Sequence, residues 1–149
     1  MDNFSTLVDT LIKDEVKGIT HHELVVELGD TPELLQKYAG FDPLRLVIKA
    51  KAISKIHFDH GIVVSQIKRI PSLIVNPKAL YKSANRADSA VVLTFELKQN
   101  VPIIIAIHKN KRIGRLDVVN ECVSMYAKEG PDPESKWEGS GLLLWKSSS

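Results

Sequence analysis

The sequence is poor in cysteine, in long apolar runs and in the glycine-rich loops that hold nucleotides. Its one cysteine, Cys122, excludes an intramolecular disulfide and a cysteine-rich zinc site. That thiol sits beside Val123 with no histidine near it in sequence, which argues against thiol catalysis. No apolar run is long enough to span a bilayer, so no membrane partner is expected. The start Met1-Asp2-Asn3-Phe4 lacks the basic and long apolar regions of a signal peptide. There is no phosphate-binding loop, GxGxxG turn, nucleophile elbow or paired-carboxylate constellation. Any chemistry must therefore come from dispersed polar side chains that the fold brings together.

What is present is a globular composition. With 149 residues, 44% hydrophobic and 26% charged, the chain can bury a core without staples. The net charge of +2 hides a strong asymmetry. Residues 1–44 hold three Lys/Arg and nine Asp/Glu; residues 45–86 hold nine Lys/Arg against Asp59 alone; residues 87–149 hold eight of each. A clustered cationic stretch from Arg45 to Arg86 raises the local concentration of anionic partners such as nucleic acid. The alternative is that the acidic segment folds over the basic one and neutralises it.

Periodicity divides the chain into helices followed by strands. Phe4, Leu7, Val8, Leu11 and Ile12 predict a helix over 4–17, and residues 22–28 read as a strand. Thr31-Pro32-Glu33 starts a helix that Gly40 stops. A helix from Asp42-Pro43 to about His60, capped by Gly61, comes next. Short helices over 63–70, ending before Pro71, and over 73–76 follow. Residues 79–83, 89–97 and 101–108 predict an antiparallel meander, with the doubly apolar run 102–107 at its centre. Val119, Val123 and Tyr126 predict a helix over 116–128; Gly130 to Pro133 break it, and residues 141–146 form a last strand. The expected class is α+β: N-terminal helices packed on a small antiparallel β-sheet with one inserted helix. Residues 1–24 form a helical extension and residues 25–149 the main domain.

Several polar positions invite a functional reading. His57 and His60 lie three apart on one helix face, a spacing that could hold a metal, but no third ligand is near; neither metal nor cofactor is expected. His60 ends its helix, where the dipole favours a protonated ring suited to acid or base work on a phosphodiester; it could equally be a simple cap. Ser83 between Lys82 and Arg86 could hold a phosphate, or be a solvated turn. Thr94 reads first as an ordinary strand residue. His108, beside Lys109, Lys111 and Arg112, marks a second basic spot. On the expected helix Ser124 and Lys128 share a face at i, i+4, with Tyr126 turned roughly 200° away. Trp137 and Trp145 read as core or rim rather than as base-stacking platforms.

The order of these segments resembles the C-terminal toxin domains of phage MuF-type proteins, within the Barnase–EndoU–colicin–RelE-like group of ribonucleases. The stretches that carry the resemblance run from Gly29-Asp30-Thr31-Pro32 with Leu34–Gly40, through Lys55–Gly61, Ile67–Pro77, Ala79–Ser83, Ser89–Leu97, Val101–Ile107 and Val119–Lys128, to Trp137 with Gly141–Trp145. Together they cover about residues 25–146. The resemblance implies metal-independent RNA cleavage in which the ribose 2′-hydroxyl attacks the adjacent phosphate. It assigns His60 as acid or base, Ser83 and Thr94 to the scissile phosphate, and Tyr126 or Lys128 to the transition-state charge. Lys82, Arg86, His108, Asn120 and Ser124 would bind substrate. The substrate would be RNA, with tRNA one candidate; the site of action the bacterial cytoplasm; and the partner an acidic immunity protein. The competing expectation is a non-catalytic nucleic-acid-binding or phage structural module.

Overall fold

A computed structural model describes residues 3–148. The chain opens with α1 (Asn3–Val16), β1 (Val25–Asp30), α2 (Glu33–Ala39) and β2 (Arg45–Lys49). Three helices follow, α3 (Ala50–Phe58), α4 (Val64–Lys68) and α5 (Ile70–Val75). Then come β3 (Ala79–Lys82), β4 (Ser89–Lys98), β5 (Val101–Ile113), β6 (Asp117–Ala127), α6 (Pro133–Gly139) and β7 (Leu143–Lys146). The class is α+β, as expected. The seven strands form one sheet in the order β1-β2-β6-β5-β4-β3-β7, so β5 is central, as its doubly apolar sequence predicts. The expected meander β3-β4-β5 is antiparallel throughout. The sheet as a whole is mixed, because β2 pairs with β6 in parallel.

One face of the sheet is covered by helices. Phe4, Val8 and Leu11 of α1, Ile53 and Ile56 of α3, and Ile67, Ile70 and Ile74 of α4 and α5 pack on Leu80, Val92, Ile103, Ile105, Ile107 and Met125. The α1 apolar face is thus part of the main core rather than a separate layer. The second face carries a smaller cluster, Ala79, Tyr81, Leu93 and Ile104, against which Trp137 of α6 packs. Cross-strand register arranges this second face in rows. Ala79, Leu93, Ile104 and Tyr126 make one row, and Tyr81, Val91, Ala106 and Ser124 the next.

Four elements differ from the sequence expectation. Arg45–Lys49 is a strand, not the start of a helix: Leu46, Val47 and Ile48 are all buried, a run that needs a central strand with two covered faces. Residues 117–127 are strand rather than helix, because Val119 to Cys122 are buried in succession, which no single helical face allows. The i, i+4, i+7 spacing there is a coincidence of a strand buried on both sides. Pro71 does not end a helix; it occupies the first turn of α5, where a missing N–H costs nothing. The inserted helix is α6, with Asp132 as N-cap accepting from the Glu134 N–H and Pro133 in the first turn. Thr31 also departs from its expected capping role: its hydroxyl donates to the Leu44 carbonyl, and α2 starts without a side-chain cap.

Candidate functional site: two cationic clefts around Lys82 and Ser83

The β3–β4 turn begins at Ser83 and is closed by the Ser83 side chain. Its Oγ accepts from the Asn85 and Arg86 N–H groups, each at 3.2 Å. A hydroxyl has two acceptor lone pairs and one proton. Both lone pairs are taken, so Ser83 has only a donor left to offer. Its free proton is set to donate to an anion.

Two clefts flank this turn and share Lys82 and Ser83 as lining. The first, about 390 Å³, lies on the sheet face that carries α6; Tyr126, Lys128, Lys136, Trp137 and Ser140 complete its polar and aromatic wall. The second, about 340 Å³, lies toward α2 and is lined by Tyr38, Arg86, Ser89 and Lys109 among others. No carboxylate lines either one. Among the described residues Lys82, Lys109, Lys128 and Lys136 have no acidic partner. Their charges are therefore uncompensated where they converge.

His60 lines neither cleft but touches Tyr126, which lines the α6-side one. Its ring centroid is 5.6 Å from that of Tyr126, with the planes tilted by 34°. Backbone geometry holds it there. Gly61 follows at φ 67°, and the Lys98 ammonium donates to the His60 carbonyl at 2.8 Å. The His60 imidazole has no hydrogen-bond partner among the described residues. His57, by contrast, uses Nδ1 against the Ile62 carbonyl at 2.8 Å. Among the described residues no three His, Cys, Asp or Glu side chains converge.

The strand conformation of β6 brings together what a helix would have separated. Alternation places Ser124 and Tyr126 on one face, and Lys128, just past the strand end, lines the same cleft as Tyr126. Of the residues proposed from sequence, Lys82, Ser83, Tyr126 and Lys128 line the α6-side cleft, His60 is linked to it through its ring contact with Tyr126, and Arg86 joins Lys82 and Ser83 in the other. Ser124 is half-buried one row over from Tyr126. His108 lies across β4 from Ser89 and is half-buried. Burial first, and the Arg86 charge second, hold its imidazole below the usual histidine range.

Two proposed residues do not reach either cleft. Thr94 is 2% exposed; its hydroxyl donates to the Ile103 carbonyl at 2.7 Å and accepts from the Glu96 N–H, closing a register shift in β4. Asn120 is fully buried and ties three segments together. Its amide donates to Thr31 Oγ1 and to the Asp42 carbonyl and accepts from the Asn110 N–H. Both side chains are consumed by the fold, so neither is available to a phosphate. The basic block is also less unified than its composition implies. Arg45, Lys49, Lys68, Arg69, Lys78 and Arg86 each have an acidic partner, two of them (Glu27 and Asp9) from the acidic segment. Lys51, Lys55 and Lys82 have none among the described residues, and of these only Lys82 lines a cleft.

Lys136, Ser140 and Lys109 belong to the clefts and were not singled out as site residues from sequence. Asp132-Pro133 is an N-cap followed by a first-turn proline, the signal that could have revealed α6 and with it Lys136. Tyr81 and Cys122 both hold their protons more tightly than usual. Burial, then a hydrogen bond to Glu138, raises the Tyr81 phenol well above its ordinary value. Burial pushes the Cys122 thiol up to about 12.

A family model described as the phage MuF C-terminal domain matches residues 51–149, and the chain belongs to that family. The match includes both clefts except for Tyr38 and Ala39 of α2. No curated protein matches the chain, and no solved structure does.

Proposed function

We propose, with membership of the phage MuF C-terminal domain family as the premise, that this protein is an endoribonuclease whose scissile phosphate sits in the α6-side cleft. One observation carries the reading. Three lysines and a donor-only serine line a cleft without a carboxylate, and the Tyr126 ring in its wall touches a histidine that has no hydrogen-bond partner for its ring among the described residues. In the reaction the ribose 2′-oxygen bonds to phosphorus and the bond to the 5′-oxygen breaks, leaving a cyclic phosphate and a free 5′-hydroxyl. His60 handles the proton of one of these oxygens. Lys82, Ser83 and Lys128 donate to the non-bridging oxygens, where negative charge builds up. Tyr126, which lines the cleft, holds the imidazole by ring contact. No metal has a part in this scheme, in keeping with the resemblance to the wider ribonuclease group.

The test is incubation of the purified chain with total RNA in excess chelator. Cleavage with cyclic-phosphate ends is expected, and His60→Ala is expected to slow it by about 100-fold or more while the fold is kept. Intact RNA across all species would overturn the proposal. A second reading, a nucleic-acid-binding or phage structural module, is favoured by the lack of any acceptor orienting His60 among the described residues. It expects salt-dependent RNA binding that His60→Ala leaves unchanged, and no cleavage. If the first reading holds, the site of action is the bacterial cytoplasm, and an acidic immunity protein is the partner that fits the clefts. Induced expression should then arrest bacterial growth, and co-expression of the neighbouring reading frame should restore it.

A further inference from the structure

The α2-side cleft is not needed by that chemistry, yet it is built with equal care. Lys109 is held from two sides. Its ammonium lies 5.3 Å from the centre of the Phe41 ring, and Gly40 leaves room for it: a Cβ at that position would stand 3.3 Å from Nζ. Gly40 also needs its freedom for φ 70°, the left-handed turn that ends α2. A ring face orients a cation without neutralising it. Arg86, which also lines the cleft, is fixed differently, by a two-pronged contact from Nε and Nη2 to Asp88 that does not use Nη1. Lys82 and the Ser83 donor form the wall shared with the α6-side cleft. Tyr38, 38% exposed, adds an aromatic ring to the lining; its centroid is 6.4 Å from that of Trp145, and the Lys37 ammonium lies 5.3 Å from the ring centre. Cations along a groove with an aromatic ring in its lining are the elements that track a single nucleic-acid strand.

We propose that the α2-side cleft is a second phosphate subsite, with Lys109 and Arg86 holding the phosphodiester next to the one in the α6-side cleft. The strand crosses the Lys82–Ser83 wall, and Tyr38 stacks on the neighbouring base. The naming of this phosphate as the second one rests on the proposed function; the binding itself does not. The substrate then spans at least two phosphodiesters of one single strand.

Fluorescence anisotropy with uncleavable 2′-O-methyl RNA tests this on the full chain. A labelled hexanucleotide is titrated over a range of salt, and a dinucleotide with one bridging phosphate is measured by competition. Lys109→Gln is expected to lower the salt slope for the hexanucleotide by about 0.7, and to leave dinucleotide affinity within twofold. Lys109→Arg is expected to restore the slope, which a merely structural lysine would not require. An unchanged hexanucleotide slope, or an equal loss for both ligands, would overturn the proposal. The two readings fail separately. RNA left intact by the wild type, with the Lys109 slope change present, sinks the ribonuclease alone. Cleavage with no slope change sinks the second subsite alone. If Lys109→Gln does not fold by circular dichroism, Arg86→Gln with the same two ligands replaces it.

Discussion

Two polar regions of the molecule have opposite bookkeeping. Around Asn120 the polar atoms are matched: Thr31 and Asp42 take both amide protons, the Asn110 N–H takes the amide oxygen, and Asn120 itself is closed to solvent. Around the Lys82–Ser83 turn the backbone is satisfied but the charges are not. Lys82, Lys109, Lys128 and Lys136 converge there without an acid among the described residues. Buried polar groups must be paired because desolvation costs about 1–3 kcal/mol for each one left alone. Surface cations carry no such obligation, so their convergence has no structural purpose to explain it. The closed region holds the fold; the open one is available to a ligand.

The largest effect expected from this contrast is on stability. Asn120→Ala removes the buried donor to Thr31 Oγ1 and the part-buried contacts to the Asp42 carbonyl and the Asn110 N–H, and should cost about 1–3 kcal/mol. Urea unfolding would measure it. RNA affinity of the folded fraction should not change; a variant that kept its stability but lost RNA would reverse the roles of the two regions. Thr94→Val should cost less, about 1–2 kcal/mol, since only the Ile103 carbonyl and Glu96 N–H lose a partner. It too should leave RNA binding intact.

The open region should show the converse. Lys128→Gln or Lys136→Gln removes a charge that nothing in the fold uses, so stability should stay within about 0.5 kcal/mol. Binding of a single-stranded RNA should weaken, with the salt slope reduced by about 0.7 for each lost phosphate contact. Gly61→Ala lies between the two. At φ 67° it costs about 1–2 kcal/mol in backbone strain. Its Cβ would come within 2.7 Å of the Lys98 ammonium, displacing the contact that holds the His60 carbonyl. Cleavage should fall together with stability, and circular dichroism beside an RNA cleavage assay separates this from simple unfolding.

Sequence reading found the class, the central strand, the α1 apolar face and the Gly40 and Gly61 turns, because each rests on local chemistry. It missed β2 and β6 for a shared reason. These two strands pair in parallel and are covered on both faces, so their apolar residues run on instead of alternating, and a short run of that kind mimics a helix. The site suffered from the same error in an instructive way. Tyr126 and Lys128 line one cleft only because β6 is a strand. The basic block from Arg45 to Arg86 was visible as charge, but sequence could not say which cations meet acids. Pairing to Glu27, Asp9, Glu96, Glu134 and Asp88 is a product of the tertiary fold, and it leaves Lys82 as the one cation of the block, unpaired among the described residues, that lines a cleft.

His108 sits between the two regions and gives the smallest and most exacting test. It is half-buried, faces Arg86, Asp88 and Lys111, and pairs across the strands with Glu121. Burial and the Arg86 charge favour the neutral ring, while Asp88 opposes them. The unfolded chain therefore takes up the proton more readily than the folded one. Above the ordinary value of 6.5 both states are neutral and the residue contributes no pH dependence. As the pH falls below 6.5 the folded state loses stability, and the loss levels off once the folded ring is protonated as well. In His108→Gln that loss is absent, so the stability difference between variant and wild type should be flat above 6.5 and shift toward the variant on acidification. Denaturant midpoints measured at several pH values would show it. A shift in the opposite direction would mean that the Asp88 charge outweighs burial. His108 would then belong with the paired residues of the closed region rather than with the unmatched cations around Ser83.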